Sequence, residues 1–563
     1  SSGNMEEILD LVTELNPAVQ LVINVIALES LSQAMEWFRK KGWEPEVVCM
    51  QVSRAAKRGP YHMMQAQNPI YILAAQGQQT QQSQNVPVAP GQNGRAQKDA
   101  DFPRILLAAP GSGSGKTLLT TGLLTLFQNR GIRCRSFKCG PDYIDPMFHK
   151  YILGIDSCNL DSFFLSKEEL QALFRKRAAD AELSVLEGVM GYYDGIGGNS
   201  TSASTYEVAT ITDTPAILVV NGKGSSLSLA AQIKGFLDYR KDSHICGVIL
   251  NKTNKMVGER LRPEIEKLGV RYLGAVPVCE TMDIKSRHLG LTMPQEQRHL
   301  NAFAKQLEEY LDVDGILELA GCSGEKLPEA GKTEQSNQTD LNQEETKQDE
   351  IRPIDSESEP PTRRMAVAMD KAFCFYYQEN LDFLRQHGWE LIPFSPLHDA
   401  ALPEQVHAIL LGGGYPELYA KELSANEPML ASIRNAHAEG IKILAECGGF
   451  LYLQEHLEDE MGNCWPMVGL IHADGFRTEK LGRFGYISLT QNGAVRIKGH
   501  EFHYWESTAP GSAFRAEKPQ SDRGWDCMYR TDSLLAGFPH LYYLSGPDLI
   551  LSFLSGPERE ETT

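Results

Sequence analysis

No Cys-x-x-Cys pair occurs in this chain of 563 residues, and its 11 cysteines fall at spacings that repeat nowhere. That excludes the usual structural zinc ligand sets and argues against a disulfide framework, so reduced thiols of a cytoplasmic protein are the expectation. Basic charge is also short. Lys and Arg number 54 against 73 Asp and Glu, a formal net charge of -19, which is the wrong sign for a nucleic-acid partner. No apolar run approaches the roughly 20 residues that cross a bilayer, and no secretory signal stands at the start, so no membrane partner is expected.

What remains is ordinary globular material, 42% hydrophobic and 23% charged. At about 150 residues per domain, the chain divides into three or four units. The most informative stretch is ILLAAPGSGSGKTL, from Ile105 to Leu118. A short apolar run reads as a buried strand, a glycine-rich turn follows, and Lys116-Thr117 opens an apolar helix. Gly113 and Gly115 let the backbone wrap a phosphate, and amides at the helix start point at the anion. Lys116 then reaches the β- and γ-phosphates of ATP, and the Thr117 hydroxyl is placed for Mg²⁺. One glycine of the usual pattern is displaced, since its first position is Pro110 and Gly111 stands one place late. A mere flexible turn is the plainer alternative, and the flanking strand and helix argue against it.

Residues 1–76 read as an α/β fragment. Leu21 to Leu28 is expected as a strand, Leu31 to Gly42 as a helix, and PEVVCMQVS and PIYILA as further strands. The fragment begins in SSGNMEEIL with no initiating methionine and carries no glycine-rich cofactor loop. Residues 77–101, rich in Gln, Asn, Gly and Pro, read as a flexible linker. Residues 102–321 alternate strands and helices as a parallel sheet requires. Five strands are expected, in IleLeuLeuAlaAla from Ile105, IRCRSFKCG, LSVLEG, PAILVVNG and ICGVILNK. Polar groups gather at their ends, where such sheets bind ligands: Asp142 and Asp145 in KCGPDYIDP, Glu187 and Asp194 in LEGVMGYYDG, and Asn251 and Lys252 in ILNK. Carboxylates beside bound phosphate are natural Mg²⁺ ligands, because a hard cation takes oxygen donors. Any one of these acids alone reads as a helix cap. Two clusters beside one phosphate loop argue for function. Residues 322–364 are acidic and polar with almost no large apolar side chains, which reads as a disordered linker.

Residues 365–555 form the last unit. HAILLGGGYPE places a buried strand before Gly412, Gly413 and Gly414, and IKILAECGGFLYL places Cys447 on a glycine-flanked turn between strand and helix. That is a nucleophile elbow, where the turn exposes the thiol and the helix start favours the thiolate. Amides near Gly413, Gly414 and Gly448 are candidates for an oxyanion hole. A thiol nucleophile needs a base, and spacing leaves His500, His503 and His540 open.

Residues from SGSGKT onward resemble the cobyrinate a,c-diamide synthases, the glutamine-dependent amidases of cobalamin biosynthesis. The resemblance runs in order through SGSGKT, KCGPDYIDP, LEGVMGYYDG, ILNK, SRHLGL, AFCFYYQENL, LGGGYPEL, AECGGFLYL and GHEFHY. It implies a dethiobiotin-synthetase-like P-loop domain with a parallel sheet, joined to a class I glutamine amidotransferase α/β domain. It also implies ATP and glutamine as co-substrates, Mg²⁺ held by Thr117, Asp142 and Glu187, Asp145 near the reacting carboxylate, and Cys447 as nucleophile. AGFPHLYY matches the family's terminal pattern with His540 at the base's position. Pro539 and Tyr542 depart from it, and class I relatives often place an orienting acid where Tyr542 stands, so the third triad member is left open. VCMQVSRAAKRGPYHMMQAQNPIYIL resembles the end of the decarboxylating precorrin methyltransferase, implying a partial α/β methyltransferase remnant without activity of its own. That tail favours a corrinoid substrate over nickel-sirohydrochlorin. The alternatives are action on a related tetrapyrrole such as hydrogenobyrinate, cobyric acid synthase, a partitioning-type P-loop ATPase switch, and a non-catalytic scaffold. The oligomeric state is left open, a homodimer among the options.

Overall fold

The structure is a computed structural model that describes residues 9–10, 13, 20–25, 28–41, 43, 45–50, 53–58, 61–66, 70–76, 102–278, 293–322 and 363–555. Both expected linkers, apart from Cys322, Arg363 and Arg364, lie outside the described residues, as do SRHLGL and the first eight residues. The chain falls into two compact units, Ser1–Ala96 and Gln97–Thr563.

In the first unit, Ile70–Gln76 is the central strand of a three-stranded antiparallel sheet, flanked by Gln20–Val25 and Glu46–Met50. Ser53–Arg58 and Tyr61–Ala66 pair as a separate antiparallel ribbon. The apolar run from Leu21 is a strand only to Val25, and Leu28 already opens the helix Leu28–Lys41. A short apolar run has no period to separate the two states. The helix buries Ala34, Trp37 and Phe38, one stripe at helical spacing. Arg39, Lys40 and Lys41 occupy its last turn, where the helix dipole favours cations.

The second unit begins with a seven-stranded parallel sheet. Its order is Arg271–Val276, Ile245–Asn251, Ala216–Asn221, Arg104–Ala108, Leu183–Glu187, Cys134–Cys139 and Ser157–Leu160. Helices cover both faces, which is why every residue of Arg104–Ala108 and Leu183–Glu187 is buried. The five expected strands are all present. The two that were not expected, Ser157–Leu160 and Arg271–Val276, are the sheet's edges.

A second sheet of six strands follows. Trp389–Phe394, Arg363–Ala368, Ala408–Leu411, Lys442–Glu446 and Leu534–Gly537 are parallel in that order, and Tyr529–Arg530 closes it antiparallel. Against it lies an antiparallel sheet ending in Arg483–Gln491, Ala494–His503 and His540–Tyr542. That last pairing sets His500 directly opposite His540.

The two sheet systems dock around the edge strand Ser157–Leu160. The Asn159 amide donates to Glu379 Oε1 at 2.8 Å, Tyr486 Oη to Asp161 Oδ2 at 2.8 Å, and Lys498 Nζ to the Phe163 carbonyl at 2.7 Å. Phe164 stacks on Tyr542 with ring centroids 4.7 Å apart. These contacts bring the ends of the parallel strands of both halves toward one another.

Candidate active site

The phosphate loop follows the buried strand Arg104–Ala108, and the helix Lys116–Asn129 starts from Gly115 in a left-handed conformation, φ +93°. A Cβ on Gly115 would stand 2.1 Å from Asn251 Nδ2, so the close approach of these two segments requires glycine. Asn251 Nδ2 donates to the Ser114 carbonyl at 2.8 Å, and Lys252 Nζ reaches the Gly113 carbonyl at 3.3 Å. Both residues brace the loop from behind. Lys116 Nζ donates to the Met190 carbonyl at 2.5 Å. Burial, with Lys138 adding to it, lowers the Lys116 ammonium to about 8, and an arriving phosphate would favour its charged form.

Thr117 Oγ1 donates to Glu187 Oε1 at 2.6 Å and approaches Asp145 Oδ2 at 3.4 Å. Sequence reading missed the hub of this cluster. The buried ammonium of Lys138, at the end of the strand Cys134–Cys139, bonds Asp145, meets Glu187 Oε1 at 2.8 Å and stands 3.5 Å from Asp142 Oδ2. Burial works against its charge, but Glu187, Asp145 and Asp142 hold it protonated. Burial pushes the Glu187 carboxyl up to about 7, with Lys138 pulling the other way. Asp142 also serves the plainer role of a cap, its Oδ1 accepting from the Ile144 amide at 2.9 Å. The only signal for Lys138 was its place in KCGPDYIDP, four positions before the first acid.

Among the described residues no group of three or more His, Cys, Asp or Glu side chains forms a metal cage. Mg²⁺ seldom has one, since it keeps waters and takes one or two protein oxygens beside substrate phosphate. The Thr117 hydroxyl and Glu187 fit that demand, because Glu187 Oε2 is buried with no hydrogen-bond partner among the described residues.

The second cluster is built on the turn after Lys442–Glu446. Cys447 has φ +47° and ψ -102°, strained for a residue with a side chain, and its amide donates to the Gly537 carbonyl at 2.8 Å. Gly448 lies close to the other glycine loop, where a Cβ would be 3.1 Å from the Gly414 nitrogen and 2.8 Å from Pro416. A Cβ on Gly413 would meet His540 Cε1 at 2.3 Å. Gly413, Gly414, Gly448, Cys447 and His540 therefore converge. His503 instead holds Glu501 at 3.1 Å and stacks on Phe538. Burial raises the Cys447 thiol, against the pull of the Gly448 amide, and lowers the His540 imidazole, helped by His500 and His503. The helix start was expected to favour the thiolate. Here it is one turn, Gly448–Tyr452, and desolvation outweighs it.

One further residue was missed. Glu446 Oε2 lies 3.9 Å from His540 Nδ1, a buried nitrogen with no hydrogen-bond partner among the described residues. Its Oε1 accepts from Tyr543 Oη at 3.0 Å, and burial pushes the carboxyl up to about 8. Tyr542, where an acid was sought, stacks on Phe164 in the docking face instead.

Comparison with known proteins agrees with this layout. Residues 105–291 match the family model described as the CobQ/CobB/MinD/ParA nucleotide binding domain, and residues 364–547 match the CobB/CobQ-like glutamine amidotransferase domain. The cobyrinate a,c-diamide synthase of Salmonella typhimurium strain LT2 is 38% identical over 473 residues, covering 81% of this chain and 98% of that relative. The enzyme of the same name from Listeria innocua is 36% identical over 474 residues, covering 81% of this chain and 100% of that relative. Among solved structures, a precorrin-6y C5,15-methyltransferase from Geobacter metallireducens shares 35% identity over 13% of this chain and 39% of its own, with a TM-score of 0.12.

Proposed function

The chain belongs to the cobyrinate a,c-diamide synthase family of glutamine-dependent ligases, and from that premise we propose that it amidates the a and c acetate carboxylates of cobyrinate in two successive rounds. A carboxylate acylates poorly because its leaving group is oxide. In the proposed first step a substrate carboxylate oxygen attacks the γ-phosphorus of ATP, releasing ADP and leaving an acyl phosphate. Lys116 neutralises charge on the transferring phosphoryl group, and the amides of Gly113 and Gly115 hold its neighbours. Mg²⁺, when bound by Thr117 and Glu187 with Asp142 alongside, supplies further charge neutralisation there. Asp145, beside Lys138, orients the incoming acid.

In the other half, His540 accepts the Cys447 proton as the sulfur attacks the side-chain amide carbon of glutamine. Amides of Gly414 and Gly448 steady the oxyanion. His540 returns the proton to the amide nitrogen, and collapse expels ammonia and leaves a thioester, which water hydrolyses to glutamate. Ammonia then attacks the acyl phosphate and expels phosphate. The observation that carries this reading is the loop Gly140–Asp145, whose acids contact the phosphate-loop cluster while its tyrosine packs on His540.

The test is the purified chain with cobyrinate, ATP, Mg²⁺ and amide-labelled glutamine, followed by mass. Two labelled amides per corrin support the proposal, and ATP loss without amide overturns it in favour of a nucleotide switch. Cys447→Ser should lower glutamine-supported amidation by about a thousandfold or more, while amidation from free ammonia continues.

A further inference from the structure

Tyr143 belongs to both halves at once. Its backbone lies between Asp142 and Asp145, on the turn that meets Lys138, yet its buried ring lies against the amidotransferase histidine. The ring centroid is 5.2 Å from His540 and 5.5 Å from His500, and it stacks on Phe375 at 5.4 Å with an interplanar angle of 8°. Its ring also lies 4.5 Å from that of Tyr377, whose hydroxyl meets His500 Nδ1 at 3.0 Å.

We infer that Tyr143 couples the two half-reactions, and the inference rests on the function proposed above. Ammonia released before an acyl phosphate exists is protonated and lost, so glutamine hydrolysis must wait for the other site. With the acid loop at rest, the Tyr143 ring fills the space between His540 and the acids and holds the imidazole away from its working position. Arrival of phosphate and substrate carboxylate beside Lys138 loosens its hold on Asp142 and Asp145, so the turn shifts and the ring moves with it. Tyr143 is thus a positioning residue, acting on His540 and on the passage for ammonia.

The test measures glutamate formed per amide formed, in the full chain, with and without ATP and cobyrinate. In the wild type the ratio stays close to one, and glutamine hydrolysis is stimulated by the two substrates together. Tyr143→Ala should raise unstimulated hydrolysis about fivefold or more and raise the ratio in the same proportion, whereas Tyr143→Phe keeps the ring and the wild-type ratio. Phe375→Ala, which removes the stacking partner without touching either acid, should raise the ratio too while amidation from free ammonia is retained. It also decides the matter if Tyr143→Ala fails to fold. Wild-type ratios in both alanine variants, at whatever absolute rates, would overturn the inference. A wild type that makes no amide at all would instead sink the function from which it starts.

Discussion

Glu446 shows how a catalytic arrangement can be assembled by register rather than by sequence spacing. An orienting acid for His540 was sought two positions beyond it, where Tyr542 stands. The parallel pairing of Lys442–Glu446 with Leu534–Gly537 instead sets Glu446 opposite Gly537, beside the chain that leads into His540. Spacing made Cys447, Lys116 and the glycines legible, because strand, turn and helix follow one another in the chain. Glu446, Lys138 and Tyr143 were not, because their meaning depends on which strand lies beside which. The carboxyl of Glu446 titrates near 8, between the raised Cys447 thiol and the lowered His540 imidazole. Below that pH it is neutral, and above it a carboxylate faces Nδ1 and, in the proposed mechanism, stabilises the imidazolium formed when Cys447 gives up its proton. The wild-type rate of glutamine hydrolysis should therefore climb between pH 7 and about 9. In Glu446→Gln the climb should vanish, with a loss of about tenfold at the alkaline end. A pH–rate profile of glutamate release checks it, and a variant profile parallel to the wild type would remove Glu446 from the proposed triad.

At the scale of elements, two strands of the first sheet escaped the sequence. They are four- and six-residue edges, SCNL and RYLGAV, buried like the inner strands but without a continuous hydrophobic run. The same holds for the antiparallel sheet of the amidotransferase half, whose long strand Ala494–His503 has no continuous apolar run and was noticed only for its histidines. The phosphate loop is the opposite case, since its conformation is written into one residue. Gly115 occupies a left-handed backbone and leaves no room for a Cβ against Asn251. Gly115→Ala forces either that amide or the loop to move, and left-handed strain alone costs roughly 1–2 kcal/mol. An increase of about tenfold or more in the KM for ATP, measured in ammonia-supported amidation, is the expected result. An unchanged KM would mean that the loop does not hold phosphate in the conformation seen here.

For the molecule as a whole, the seam between the two sheet systems is sealed by buried carboxyls as much as by aromatic rings. Burial pushes Asp161 and Glu379 each up to about 6, above their ordinary carboxylate values. Each therefore holds more protons folded than unfolded across the interval from about pH 4 to 6, and stability from this source falls as pH rises through it. Near neutrality both are ionised in a dry seam, offset by the donors from Tyr486, Phe163 and Asn159. This makes docking cost most near neutral pH. Asp161→Asn removes the titration while keeping an oxygen to accept from Tyr486. By calorimetry the variant should melt about 2 °C or more above the wild type at pH 7.5, and that advantage should shrink to nothing by pH 5, where the wild-type acid is itself neutral. A difference that stayed constant with pH would show that the Asp161 charge does not oppose closure of the seam.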